Sequence, residues 1–135
     1  MEEAKKLPTE DFCFGCGEEN PIGLHLDFTE DAQGRFVTKK VLTKNYQSYH
    51  DVVHGGIVTT LMDEAMGGYL HHKGEHGVTG TISVRFHLPT PIGEEIEIAG
   101  WEVSRRRNLV NMKAQITLKD GKVAAEATAK MVIVE

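Results

Sequence analysis

The sequence predicts an α+β domain in which one long central helix is wrapped by a curved antiparallel sheet of about five to six strands. Three observations predict it. Residues 54–72 carry apolar side chains at helical spacing, the segments on either side alternate apolar and polar, and the later segments are separated by short turns of the kind that join antiparallel neighbours. A single helix has only the sheet to bury itself in, so the sheet must curl around it. At 135 residues the chain holds one core. Residues 1–20 read as an N-terminal loop or extension and 21–135 as the single folded domain.

Taken in order, "GLHLDFTE" places Leu24, Leu26 and Phe28 on one side of a half-buried strand, and "GRFVTKKVLT" is a weaker strand after the Gln33-Gly34 turn. The helix follows, with Ile57, Val58, Leu61, Met62, Ala65, Met66 and Leu70 forming a broad apolar stripe. "VTGTISVRFHL" then alternates Ile82, Val84 and Phe86 against Thr81, Ser83 and Arg85. "EEIEIAGWEVSRR" and "LVNMKAQITL" read as two long strands divided near Arg107-Asn108. Asp120-Gly121 turns the chain into a last strand with Val123, Ala125, Ala127, Ala129, Met131 and Ile133 on one face.

Composition narrows the function. A net charge of -5 speaks against nucleic-acid binding, which needs a basic surface. The opening "MEEAKKLPTE" lacks a basic segment followed by an apolar one, so no signal peptide is expected. No apolar run approaches the ~20 residues of a membrane span. A cytoplasmic protein with neither nucleic acid nor membrane as partner is the expectation. The two cysteines, Cys13 and Cys16, stand in "DFCFGCGEENP". A structural zinc takes about four ligands and no second C-x-x-C exists, although His25 could add a ligand or two chains could share an ion. Gly15, Gly17 and Pro21 make the segment a loop, unlike redox motifs that open a helix. It is read as a packed, reduced loop, and neither metal nor cofactor is expected.

The unusual stretch is "VVHGGIVTTLMDEAMGGYL". His54-Gly55-Gly56 opens the helix, where free N–H groups and a partial positive charge favour developing negative charge. Glycines there let a substrate oxygen reach the backbone, an arrangement suited to an oxyanion hole. Asp63 and Glu64 lie off the apolar stripe, with Gly67-Gly68 one turn beyond. Glycine costs about 1 kcal/mol in a helix interior, so this pair suggests close approach of a ligand or a second chain. From Gly55 to Asp63 is about 12 Å at ~1.5 Å per residue, too far for one carbonyl to touch both. If both act in one reaction, the acid comes from a second copy of the helix in a two-fold dimer.

This motif resembles the signature of the hotdog-fold acyl-CoA thioesterases, in the group that contains the phenylacetyl-CoA and hydroxybenzoyl-CoA thioesterases: His-Gly-Gly opens the central helix and an acid lies nine positions after the histidine. "VTGTISVRFHLPTPIGEEI" is similar to the family's next strand and its Pro-containing turn, and "CFGCGEENPIGLHLDF" to the opening of one branch of the superfamily. The likeness runs from about residue 13 to 132. It implies a hotdog fold and hydrolysis of acyl-CoA in a homodimer or homotetramer. By the same resemblance Gly55 would polarise the thioester carbonyl through its N–H with Gly56 assisting, and Asp63 of the partner subunit would attack or activate water. Thr79 would hold the water or leaving group, and His54 would orient the loop. Relatives carry Asn or Gln six residues before the histidine; Ser48 stands there, with Gln47 and His50 nearby, as the substrate-orienting position.

Asp63 and Glu64 are ~100° apart on the helix; the resemblance selects Asp63 and leaves Glu64 as the alternative acid. Arg105 and Arg106, in a short basic run on an acidic chain, suit the phosphates of coenzyme A, and Gly67 the approach of the substrate. Three rivals stand beside this reading. An acyl-CoA-binding sensor would use the pocket without hydrolysis, and would have no use for Asp63. An acyl-carrier-protein thioester is a second substrate class. A metal hydrolase would draw on His50, His54, His71, His72 and His76, but His50 precedes the helix and the glycines disfavour ligation there.

Overall fold

The computed structural model describes residues 10–134; the first nine residues of the N-terminal extension, including the opening read above for a signal peptide, lie outside them. Helix α1 spans Gly55–His72. The strands are β1 (Thr29–Glu30), β2 (Phe36–Val41), β3 (His76–Phe86), β4 (Glu95–Arg106), β5 (Leu109–Thr117) and β6 (Val123–Val134). They form one antiparallel sheet in the order β1-β2-β4-β5-β6-β3. With one long helix lying across this sheet, the architecture is the hotdog fold. Among the described residues no helix is long and apolar enough to cross a membrane.

The helix forms where the apolar stripe predicts, and Val58, Leu61, Met62, Ala65, Met66 and Leu70 are all buried. They pack on Ile96, Ile98, Val110, Met112, Ile116 and Met131 of the sheet. Small residues set how closely the layers approach. A Cβ at Gly100 of β4 would stand 2.7 Å from the Ala65 carbonyl carbon and oxygen, so helix backbone and sheet backbone nearly touch. A Cβ at Gly68 would meet the Phe36 ring at 2.8 Å. Gly68 therefore makes room for an aromatic side chain of the same core, itself stacked on Phe28 with ring centroids 4.8 Å apart. From sequence alone this glycine suggests the approach of a ligand or a second chain. Gly67 is different, since a methyl there would find nothing nearer than Met131 Cε at 3.9 Å.

The first predicted strand is where sequence and structure diverge. Leu24 and Leu26 are buried as their alternation requires, but only Thr29–Glu30 joins the sheet. The Leu24 N–H donates to the Phe14 carbonyl (2.7 Å) and the Leu26 N–H to the Gly15 carbonyl (2.8 Å), so this backbone pairs with the N-terminal loop. His25 between them has φ 51°, which breaks the extended run. The other strands lie within two residues of their predicted bounds, and the turns fall at Gly34, Arg107 and Gly121, each with positive φ.

One irregularity bears on the site. Thr79 pairs with Met131 but Thr81 pairs with Lys130, making Gly80 an extra residue in β3. Such a bulge switches which residues face the helix. Gly77 and Thr79 turn inward before it, Ile82 and Val84 after it. The opposite edge of the sheet is the two-residue β1, whereas β3 ends the sheet as an eleven-residue strand bonded on one side only.

Replacing Gly100 with alanine should overpack the Ala65 contact and lower stability by about 1–3 kcal/mol. Urea denaturation of wild type and Gly100→Ala, with unchanged slope and a lower midpoint, is the expected observation.

Candidate active site

The N-terminus of α1 is built by His54. Its backbone is non-helical (φ -55°, ψ 134°), its N–H donates to the Tyr46 carbonyl, and its carbonyl accepts from Ile57 (2.9 Å) and Val58 (3.0 Å). Its Nδ1 accepts the Gly56 N–H at 2.9 Å, the role a helix-capping side chain plays. Because that nitrogen accepts, the ring proton of neutral His54 sits on Nε2. Of the two glycine N–H groups predicted to polarise a carbonyl, Gly56 is thus engaged within the cap. The Gly55 N–H has no acceptor among the described residues, and a Cβ on Gly55 would touch the Phe86 ring at 3.7 Å. One donor therefore remains for an incoming oxygen, at the positive end of an eighteen-residue helix. Thr59 and Thr60 turn their hydroxyls back onto the Gly55 and Gly56 carbonyls at 2.9 Å each.

Two turns along, Asp63 projects toward β3, where the Thr79 hydroxyl donates to its Oδ1 at 2.7 Å. Both residues are half-buried. Strict alternation would have put Thr79 on the outer face with Thr81 and Ser83; the Gly80 bulge turns it inward to meet the acid. Asp63 Oδ2 has no hydrogen-bond partner among the described residues. The pair is a carboxylate held in one orientation with one oxygen left over.

Glu64 points elsewhere. It packs beneath the N-terminal loop, where any side chain on Gly15 would overlap its carboxyl group, and the Cys13 thiol donates to its Oε1 at 3.5 Å. Burial raises the Glu64 carboxyl above its ordinary value, a shift that the Cys13 contact opposes and the neighbouring Asp63 adds to. The alternative acid thus belongs to a different neighbourhood from Asp63.

The remaining candidates are dispersed. Ser48 lies in a tight turn, its N–H and hydroxyl both on the Val52 carbonyl, while the nearby Gln47 side chain accepts from the Asp51 N–H and His50 is exposed. Arg105 forks onto Glu75 and holds Glu102 as well, which keeps its guanidinium firmly charged and the Glu75 carboxyl below its usual range. Glu75 follows the C-terminus of α1, so Arg105 sits about 27 Å along the helix from Gly55. Arg106 is exposed beside the Arg107-Asn108 turn. His72 faces Glu30 and the Phe36 ring, and no three of the histidines and acids around it form a metal-sized cluster among the described residues.

Comparison with known proteins agrees with this fold. A family model described as Thioesterase superfamily matches residues 50–125. No curated protein matches the chain. Among solved structures, a thioesterase superfamily protein superposes with a TM-score of 0.81 at 28% identity, over 86% of this chain; the match spans only 60% of that protein's length. A hypothetical thioesterase from Streptococcus pneumoniae TIGR4, crystallised with coenzyme A, gives a TM-score of 0.74 at 24% identity, covering 80% of this chain and 87% of the other. The same protein has been crystallised with an aspartate and with a threonine changed to alanine, at positions sixteen residues apart. The E. coli PaaI protein from the phenylacetic acid degradation operon gives 0.76 at 19% identity, covering 83% and 81%.

The cap assigned to His54 has a direct check. His54→Ala should cost about 0.5–2 kcal/mol of stability and His54→Asn much less, because asparagine can also accept at a helix start. Thermal denaturation of the two variants separates a capping role from one that needs an imidazole.

Proposed function

The chain belongs to the thioesterase superfamily, and on that footing we propose that it hydrolyses acyl-CoA thioesters to the free acid and coenzyme A, in a site completed by a second copy of the chain. The observation that carries this reading is the 2.7 Å hydrogen bond from Thr79 to Asp63, which fixes a half-buried carboxylate with one oxygen unoccupied. Asp63 and Thr79 are sixteen residues apart, the same separation as the aspartate and threonine replaced in the streptococcal thioesterase. That protein and a Streptococcus mutans neighbour were crystallised with coenzyme A and acetyl CoA, which supports an acyl-CoA rather than a bare thioester as substrate.

The chemistry follows from the two helix positions. The substrate carbonyl oxygen accepts from the Gly55 N–H, where the helix end stabilises the charge that develops on it. Asp63 Oδ2 takes a proton from water as the water oxygen attacks the carbonyl carbon. Collapse of the tetrahedral intermediate breaks the C–S bond, and the leaving thiolate takes the proton back. Direct attack by Asp63 through an anhydride is the other route open to a carboxylate; after a single turnover in ¹⁸O-labelled water, label in Asp63 identifies an anhydride opened at the aspartyl carbon, which the general-base route never gives.

The ~12 Å between Gly55 and Asp63 along one helix is why a second chain is invoked. β3 is where it would join. Among the described residues no strand pairs with the outer edge of this eleven-residue strand, and Val78 and Phe86 are exposed on it. Pairing two β3 edges about a two-fold axis brings Phe86, which lies against Gly55, toward the partner subunit's α1. Arg105 is committed to Glu75, so Arg106 is the freer of the two arginines for a coenzyme A phosphate.

Thiol release from a panel of short, long and aromatic acyl-CoAs tests the reading. Asp63→Asn should lower kcat by about 10²–10⁴-fold in a protein that is still dimeric by light scattering, with Thr79→Val falling between it and wild type. Binding of acyl-CoA without turnover by the wild type would replace hydrolysis with sensing, and full activity from a monomer would remove the shared site.

A further inference from the structure

The described residues contain a second cluster of reactive groups, away from Asp63 and independent of the reading above. Cys13 Sγ, Cys16 Sγ and a Glu64 carboxylate oxygen all lie within 4.8 Å of one another. Three features of the chain converge to put them there. The Gly17 N–H donates to the Cys13 carbonyl at 2.8 Å, closing a turn that presents both sulfurs to one side. The pairing of residues 14 and 15 with Leu24 and Leu26 clamps this turn onto the core. Gly15, which has no side chain, leaves the space that the Glu64 carboxyl fills.

We propose that Cys13, Cys16 and Glu64 form a binding site for a single zinc-class divalent cation, which ties the N-terminal loop to helix α1. Two thiolates and one carboxylate make a borderline-soft donor set that suits Zn(II) or Co(II) and excludes Mg(II) and Ca(II), which take oxygen ligands. The Cys13 Sγ–Glu64 Oε1 separation of 3.5 Å is already about what two ligands of a tetrahedral zinc keep, given bonds of ~2.3 Å to sulfur and ~2.0–2.2 Å to oxygen. Cys16 lies on the exposed side of the loop, leaving a fourth position to water. The sequence offers two ligands in C-x-x-C, with His25 or a second chain as the source of more. The third comes from 51 residues away, and His25, the ligand considered from sequence, instead bonds the Asn20 carbonyl at 2.7 Å.

The main rival use of two such thiols is a redox couple, and the surroundings disfavour it. A reactive cysteine needs an electropositive setting that lowers its pKa. Here the two thiols face the Glu64 carboxylate instead. A divalent cation binds both thiols as thiolates, releasing their protons, and takes the Glu64 carboxylate as its third ligand.

The test uses the full chain, stripped with chelator under reducing conditions and titrated with Co(II) alone, then with Zn(II). The expected result is one ion per chain. It should give a thiolate-to-cobalt charge-transfer band in the near ultraviolet, displacement by Zn(II), and a higher thermal midpoint in the presence of Zn(II). Cys16→Ser and Glu64→Gln, both near-isosteric and checked for native circular dichroism, should each weaken binding at least about tenfold and abolish the thermal shift. Absence of the band while both thiols titrate as free would overturn the site, as would an ion removed by simple dialysis. Affinity unchanged in Glu64→Gln would overturn the three-ligand assignment. Recovery of the freshly reduced protein as a Cys13–Cys16 disulfide on brief air exposure, with no metal uptake, would give the pair to redox chemistry instead.

Discussion

The close contact of one helix with one sheet sets the rest of this molecule. Ala65 rides against Gly100 with no room for even a methyl group between them, and from that point the apolar stripe of α1 is buried in both directions. A helix seated so near its sheet can turn only its other flank outward. That flank carries Thr59, Thr60, Asp63 and Glu64, so the depth of the Ala65 contact decides how far each of those side chains reaches. It also explains the choice of small residues along β6, where Ala125, Ala127 and Ala129 are buried on one face: a strand that passes beneath a closely seated helix has little volume to fill.

The two ends of the helix then acquire different chemistry from ordinary causes. At the N-terminus, four N–H groups need partners. His54 supplies two acceptors, its own ring nitrogen and its carbonyl, and between them these take Gly56, Ile57 and Val58. What is left over is the Gly55 N–H, so the open donor is a by-product of how the cap is made. At the C-terminus, Glu75 and Lys73 receive Arg105 and Glu30, ion pairs near the surface that add little stability. An arginine that the sequence offered to a phosphate is spent there.

Much of this was legible in the sequence because it repeats. The helix and strands β3 to β6 are long enough for their periods to stand out, and their turns are written in residues that accept positive φ. What was not legible depends on contacts between distant segments. Leu24 and Leu26 alternate like a strand, yet their backbone pairs with a loop ten residues earlier. Gly68 looks like a ligand surface until Phe36 is seen to need its space. Thr79 falls on the outer face under simple alternation, and only the single extra residue at Gly80 brings it to Asp63. A glycine in the middle of a strand is the one local sign of such a bulge, and nothing in the sequence says which way parity will shift.

The clearest case is the pair Asp63-Glu64. From sequence they are two carboxylates on the same flank of a helix, competing for one role. A rotation of ~100° is enough to give them separate surroundings: one meets a hydroxyl on the edge strand, the other two thiols on a loop of which Cys13 lies 51 residues before Glu64. Each is half-buried, so each needs a partner, and the partners differ in kind. A hydroxyl donates one hydrogen bond and leaves a carboxylate negative and available for proton transfer. Thiols are poor donors and leave a buried carboxyl short of stabilisation, and burial raises the proton affinity of Glu64. Adjacent acids on one helix are thus given different surroundings by what the rest of the chain folds against them, and residue type alone would have merged the two.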